Sequence, residues 1–200
     1  MAESAPIDPG TLSNLCKTFK VSKGTCEYFN KCYNERILPC IQRNYLAHLV
    51  AAIEEIIDEK IKEDNRKKNP EDASDKKARD FFIVLRPDPP PQKPAEAICL
   101  RKGVFINYKP NYNFKELRVF IAHELGHVLR HYEIILNDDN ENHANLFAYF
   151  AINGKNNFYQ NKVRNLIYSS EEEIISTIQI LCPIQEERQK DKEFKQGERY

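Results

Sequence analysis

The sequence predicts an α+β fold in which a small antiparallel or mixed sheet packs on one long helix, with a helical region before it. Apolar residues recur at three- and four-residue steps over residues 114–131, which is typical of a helix with a wide buried face. Short apolar runs at 81–85, 97–100 and 104–108, bounded by turn-forming residues, indicate strands. Residues 11–64 carry further helical periods.

Composition limits the class of protein. The chain has 200 residues with 30 basic and 30 acidic side chains, and its net charge is 0. That balance argues against nucleic acid as the main partner and favours a peptide or protein. No apolar run approaches the roughly 18 residues of a membrane span, and the N-terminus does not resemble a signal peptide. We therefore expect no membrane contact and a cytoplasmic location.

The six cysteines are too sparse for a disulfide framework and favour buried, reduced thiols. Four of them, Cys16, Cys26, Cys32 and Cys40, fall close together and suggest a second metal site. Their gaps of nine, five and seven residues contain no Cys-x-x-Cys pair, so structural zinc is the minor alternative there.

Changes of composition divide the chain into five segments. Residues 1–10 form a lead that we expect to be disordered, and residues 11–64 form the helical region. Residues 65–78 are almost wholly charged or polar and indicate a solvated linker. Residues 79–182 hold the strands and the remaining helices as the main domain, and residues 183–200 are a polar tail.

The helical region is expected to contain two short helices and a long one. Residues 12–19 and 25–38 flank a turn, and residues 41–61 have an amphipathic pattern. The segment around the turn is similar to a helix-turn-helix, with Lys20 at the position usually given to glycine. A helical hairpin that packs on the main domain is the favoured interpretation.

Three strands and two helices are expected around the helix at 114–131. A proline-rich stretch ends the first strand, and Arg101-Lys102-Gly103 between the other two is a hairpin signal. Residues 141–150 form the next helix, and a last helix at about 170–181 opens with three glutamates, which suit its positive end.

The helix at 114–131 contains a His-Glu-x-x-His motif, whose spacing is typical of a metal site. His123 and His127 are four residues apart, so both imidazoles leave one face of the helix about one turn apart and can hold a single metal ion. Glu124 lies beside them, where its carboxylate can take a proton from an attacking water. The alternative is two helix histidines with a surface glutamate, and such a pentad arises by chance about once in a hundred chains of this composition.

A catalytic zinc takes three protein ligands and leaves one position open, so a further ligand is needed. His131 lies about 12 Å along the axis from His123, too far to join both motif histidines. Glu141, which opens the next helix, is the favoured candidate, and His143 is its competitor. Asn145, one turn after Glu141, could hold a ligand imidazole through its other ring nitrogen, or could be a polar residue on a helix flank.

Two segments together resemble one family. His-Glu-Leu-Gly-His at 123–127 and Glu-Asn-His-Ala-Asn-Leu-Phe-Ala at 141–148 are similar to the paired motifs of the ImmA/IrrE zinc metallopeptidases, over about residues 80–152. The resemblance implies a zincin-like (thermolysin-like) core and one zinc ion. It implies metal ligation by His123, His127 and Glu141, with Glu124 as the general base.

The resemblance also implies an intracellular regulatory protease that acts on a helix-turn-helix repressor. Through that repressor it would regulate transcription. Two other functions stay open. One is a non-catalytic regulator in which zinc only stabilises the fold and the N-terminal helices bind a partner or DNA. The other is a toxin or effector hydrolase with a different protein target.

Two further sets of residues are candidates for the peptidase reaction. In zinc peptidases an edge strand beside the metal helix commonly aligns the substrate backbone, although an ordinary core strand is an equal alternative. The candidates for that edge strand are Val104, Phe105, Ile106, Asn107 and Tyr108. The candidates for stabilising the oxyanion, just beyond the motif, are Arg130, His131 and Tyr132.

Overall fold

The computed structural model describes residues 9–32, 35, 46–68, 81–88, 90, 93–100, 103–134, 141–153 and 168–183. These residues form six helices and three strands, which confirms the α+β class. The helices are α1 Pro9–Thr18, α2 Lys23–Cys32, α3 Leu46–Lys68, α4 Phe114–His131, α5 Glu141–Asn153 and α6 Glu171–Leu181. The strands are β1 Phe82–Arg86, β2 Ala95–Leu100 and β3 Gly103–Tyr108.

The three strands form a mixed sheet in the order β1-β3-β2. Strand β3 runs parallel to β1, with Ile83 opposite Val104, and antiparallel to β2, with Ala97 opposite Ile106. The prediction that residues 104–108 form an edge strand is therefore wrong, because both sides of β3 are paired. The physical reason is burial: Val104 and Ile106 are fully buried, and the central position gives them neighbours on both sides.

Helix α4 has the range that its periodicity predicts, and a capping box fixes its start. Asn113 Oδ1 accepts a hydrogen bond from Glu116 N at 2.9 Å, and Glu116 Oε2 accepts one from Asn113 N at 3.0 Å. The helix is buried along most of its length, from Arg118 to Leu129, with His127 half-buried. His123, His127 and Glu124 are thus held by a rigid, packed element.

Helix α5 packs directly against α4. Gly126 makes this possible, because a Cβ at position 126 would lie 2.9 Å from Ala144 Cα and 3.2 Å from Phe147 Cβ. Helix α5 is itself buried from Ala144 to Asn153. The glycine of the motif therefore allows the two helices that carry the candidate ligands to lie close together.

Helix α6 begins as the sequence predicts, at the three glutamates. Ser170 caps it, since its hydroxyl accepts a hydrogen bond from Glu173 N at 3.2 Å. Lys115 of α4 forms an ion pair with Glu173. Helix α6 buries Ile174 and Ile178 against α4 and α5.

The N-terminal helices α1 and α2 form a hairpin that packs on the main domain, as favoured from the sequence. Lys20, in the turn between them, has a φ of 50°, the left-handed conformation that favours glycine. The ring of Phe19 lies 5.8 Å from that of Tyr149, and α2 contacts α5. Helix α1 starts at Pro9, earlier than expected, because proline suits the first helical position.

Helix α3 extends further than predicted. Residues 65–68, assigned to the linker from their charge, are its last residues. Ion pairs at i,i+4 spacing stabilise this polar end, at 2.6 Å for Lys60 and Asp64 and 2.7 Å for Lys67 and Glu63. The predictions for residues 1–8, 33–34, 36–45, 69–80, 89, 91–92, 101–102 and 184–200 lie outside the described residues.

A single hydrophobic cluster joins the N-terminal helices to the main domain. Its buried members include Phe19, Ile53, Val104, Leu125 and Ile178, which come from different parts of the chain. The helical region is therefore part of the same core as α4 and the sheet. None of the described helices combines the length and the apolarity that a membrane crossing requires.

Candidate metal centre

Three side chains from two helices meet at one point. His123 Nε2 lies 3.1 Å from His127 Nε2 and 3.0 Å from Glu141 Oε2, and His127 Nε2 lies 3.5 Å from the same carboxylate oxygen. Helix α4 supplies the histidines one turn apart, and the first residue of α5 supplies the glutamate. We call these three residues the His-His-Glu cluster; they form a group that could hold a metal ion.

The orientation of His123 is fixed by Asn145. His123 Nδ1 lies 2.8 Å from Asn145 Oδ1, and Asn145 Nδ2 donates to the Cys182 carbonyl at 2.9 Å. Because the amide nitrogen is used by Cys182, the amide oxygen is the acceptor and His123 Nδ1 is the donor. In the neutral ring, His123 Nε2 then carries the lone pair that points into the cluster. This is the contact that the predicted role of Asn145 requires.

The chemistry of the cluster fits a zinc ion. A lone pair on His123 Nε2 and a carboxylate oxygen 3.0 Å away repel each other unless a proton or a cation lies among them. Zinc takes imidazole and carboxylate ligands at about 2.1 Å, so ligands of a tetrahedral ion are about 3.4 Å apart. The three separations in the cluster, 3.0, 3.1 and 3.5 Å, are close to that spacing.

Glu141 is suited to be the anionic ligand of the cluster. Close contact with the imidazoles of His123 and then His127 holds the pKa of Glu141 well below its ordinary value, although burial opposes this. The residue is half-buried, whereas His123 is buried. One side of the cluster is therefore open to water.

Glu124 lies beside the cluster, and β2 holds its carboxylate. Glu124 Oε2 accepts a hydrogen bond from Ala97 N at 2.8 Å. Burial raises the pKa of Glu124, while His123, His127 and the bond from Ala97 partly oppose that rise. Glu124, the candidate for the general base, is thus held between helix α4 and the edge strand β2.

His143, the competitor for the third ligand position, points to another part of the protein. Its ring packs against Phe29 of α2, with the ring centroids 5.6 Å apart. It is not a member of the metal-ligand group identified among the described residues. The structure therefore brings Glu141, rather than His143, to the two motif histidines.

The three oxyanion candidates lie at the end of α4 and have other contacts. Tyr132 donates its hydroxyl proton to the Leu100 carbonyl at 2.6 Å, and its ring packs edge-on against Phe81 at 5.0 Å. The ring of His131 packs against Tyr132, and both His131 and Arg130 are exposed. These contacts assign none of the three to the cluster, so their oxyanion role stays a prediction.

Two contributors to the centre were missed from the sequence, because both act through the backbone. Ala97 holds Glu124 through its N–H, and Cys182 holds Asn145 through its carbonyl. Neither contact depends on the side chain of Ala97 or Cys182, so the residue types do not indicate it. The closeness of Gly126 to Ala144 could have been inferred only by placing both motifs on packed helices.

The five cysteines that the structure describes take no part in the metal-ligand group. Cys16, Cys26, Cys32, Cys99 and Cys182 form no disulfide, and Cys40 lies outside the described residues. Burial, followed by the proximity of Cys16, raises the pKa of Cys26 to about 12. The metal-ligand group found in the described part of the chain contains histidine and glutamate alone.

Comparisons with protein-family models, with curated proteins and with solved structures found no match to this chain. The likeness to the ImmA/IrrE metallopeptidases therefore stays a resemblance carried by the motifs at 123–127 and 141–148.

Proposed function

We propose that this protein is a zinc-dependent peptidase with a zincin-like core. One observation carries the proposal: two imidazoles from α4 and a carboxylate from α5 converge at 3.0–3.5 Å beside a buried glutamate. Among the described residues the group has three members, the number typical of a catalytic zinc rather than a structural one. Its half-exposed side leaves room for water and substrate.

His123, His127 and Glu141 would hold a zinc ion, which when bound would supply a Lewis acid to polarise a peptide carbonyl and lower the pKa of water. The residues of the chain prepare the site for it. Asn145 fixes the tautomer of His123 so that Nε2 can ligate, and Glu141 is anionic. Glu124 accepts the proton from the attacking water and delivers it to the leaving amine.

The substrate in this proposal is an extended peptide that lies along β2. This strand is at one edge of the described sheet, and its Ala97 N–H points toward α4 and Glu124. A peptide backbone at that edge would lie beside both the cluster and the base. The resemblance suggests a helix-turn-helix repressor as the protein that contains such a peptide.

The Glu124→Gln variant tests the proposal. Glutamine keeps a carbonyl oxygen that can accept from Ala97 N, so the fold and the zinc content should be unchanged. Cleavage of an unbiased peptide library by the zinc-loaded protein, followed by mass spectrometry, should fall by roughly 10²–10⁴-fold. Glu59→Gln, an exposed glutamate on α3, is the matched control and should cleave like wild type.

Two results would contradict the proposal. If Glu124→Gln cleaves like wild type, Glu124 is not the base. If wild-type protein binds one zinc per chain and leaves the library intact, the metal is structural, and the protein belongs with the non-catalytic regulators.

A further inference from the structure

The two faces of the sheet differ in what covers them. Helices α3 and α4 pack on one face, where Ile83, Val104 and Ile106 are buried. On the other face, Phe82, Val84, Ile98 and Leu100 are large apolar residues that are 38–43% exposed. We call this second surface the open sheet face.

The strand sequences are those of a sheet covered on both sides. A sheet with one solvated face alternates apolar and polar residues, whereas strands buried on both faces are continuous apolar runs. Residues 81–85 are five consecutive apolar residues, and residues 97–100 are four. A contiguous, exposed apolar surface of this kind is typical of an interaction site.

The register aligns the residues of the open sheet face in rows across the three strands. Phe105 of β3 has Val84 of β1 on one side and Ile98 of β2 on the other. Two residues further along the strand, Asn107 has Arg86 on one side and Glu96 on the other. The surface is thus apolar in the middle and carries one positive and one negative charge on opposite strands at one end.

We propose that the open sheet face binds a second copy of the chain, in a symmetric dimer whose two-fold axis runs parallel to the strands. Such a rotation places β1 of one protomer over β2 of its partner, and β3 over β3. Each row then meets the same row of the other copy, because a rotation about this axis keeps the position along the strands, and the contact is isologous. Sheets packed in this way lie about 10 Å apart with their strands nearly aligned.

Charge identifies the occupant as a second copy. In this arrangement Arg86 meets the partner's Glu96, and Glu96 meets the partner's Arg86, so each charge has an opposite charge across the interface. Val84 meets the partner's Ile98 in the row beside them. The guanidinium carbon of Arg86 lies 3.5 Å from the centroid of the Phe105 ring, so in the dimer this side chain exchanges the ring for the partner's Glu96 carboxylate.

The proposed interface leaves the metal centre accessible. Glu124 and the His-His-Glu cluster belong to α4 and α5, and α4 packs on the opposite face of the sheet. The dimer therefore does not depend on the peptidase proposal.

Charge reversal tests the dimer. The wild-type mass in sedimentation velocity at micromolar concentrations should be twice the chain mass of 23.4 kDa. Arg86→Glu and Glu96→Arg each place like charges at both contacts, so each should raise the dimer dissociation constant by roughly 100-fold or more. A 1:1 mixture of the two variants should regain the dimer mass, since the heterodimer again pairs opposite charges at both contacts.

The controls separate this contact from a general effect of charge. Lys67→Glu and Glu63→Lys make the same charge changes at exposed positions of α3 and should dimerise like wild type. Circular dichroism of each variant establishes that it is folded. A wild-type protein that is monomeric at these concentrations, reversal variants that dimerise like wild type, or a mixture that stays monomeric would each overturn the proposal.

Discussion

Gly126 of α4 lies so close to Ala144 of α5 that an added Cβ would come within 2.9 Å of the Ala144 Cα atom. The Ala144 Cα atom belongs to the backbone, so a side-chain rotation cannot relieve this steric clash. Glu141 and Asn145 both belong to α5. The distance between the two helices therefore sets the distance between Glu141 and the histidines of α4.

Gly126→Ala should move α5 away from α4 and weaken zinc binding by tenfold or more. Overpacking costs about 1–3 kcal/mol of stability, which the helix preference of alanine offsets by about 1 kcal/mol. Calorimetric titration with zinc measures the affinity. Gly24→Ala is the matched control, because a Cβ there meets nothing within 4 Å. Equal affinities of Gly126→Ala and wild type would contradict the role of this contact.

Asn145→Ala should lower zinc affinity by about 10–100-fold, because His123 loses the acceptor that orients it. It should also destabilise the fold by about 1–3 kcal/mol, since the Cys182 carbonyl loses its donor. Asn145→Asp loses the same donor but keeps an acceptor for His123, so its zinc affinity should fall less. If both variants bind zinc as tightly as wild type, Asn145 does not position the ligand.

Glu141→Ala and His143→Ala should differ sharply in metal content. Glu141 lies 3.0 Å from His123 Nε2, whereas the ring of His143 packs on Phe29. We expect purified Glu141→Ala to lose most of its zinc and His143→Ala to keep one ion per chain, as measured by plasma mass spectrometry. The reverse pattern would make His143 the ligand.

Glu173 should make stability depend on pH in the acid range. Its hydrogen bonds with Lys115 and then Ser169 lower the pKa of Glu173 from 4.5 to about 2. Because the folded pKa is depressed, the stabilisation is fully present above about pH 4.5 and is lost as the pH falls toward 2. Urea midpoints of wild type and Glu173→Gln should therefore differ at pH 6 and converge near pH 2. A constant difference across this range would contradict the assignment.

Local pattern was sufficient for the elements with the strongest signals. The range of α4 follows from its apolar period, and the start of α6 follows from Ser170 and the glutamates after it. The spacing of His123 and His127 needs only helix geometry. These features depend on residues that are neighbours in the sequence.

Contacts between residues that are distant in the sequence could not be predicted from local pattern. The position of β3 between β1 and β2 depends on a parallel pairing with a distant strand, so the sequence of residues 104–108 did not decide between an edge strand and a core strand. The charged end of α3 reads as a linker by composition, yet ion pairs one turn apart keep it helical. The choice between Glu141 and His143 depends on how α5 packs against α4 and α2.

The most direct test of the metal centre is anomalous diffraction at the zinc edge from crystals of the zinc-loaded protein. The account predicts one ion bound by His123 Nε2, His127 Nε2 and a carboxylate oxygen of Glu141, with water at the fourth position and Glu124 beside it. An ion enclosed by four side chains, or bound elsewhere in the protein, would contradict it.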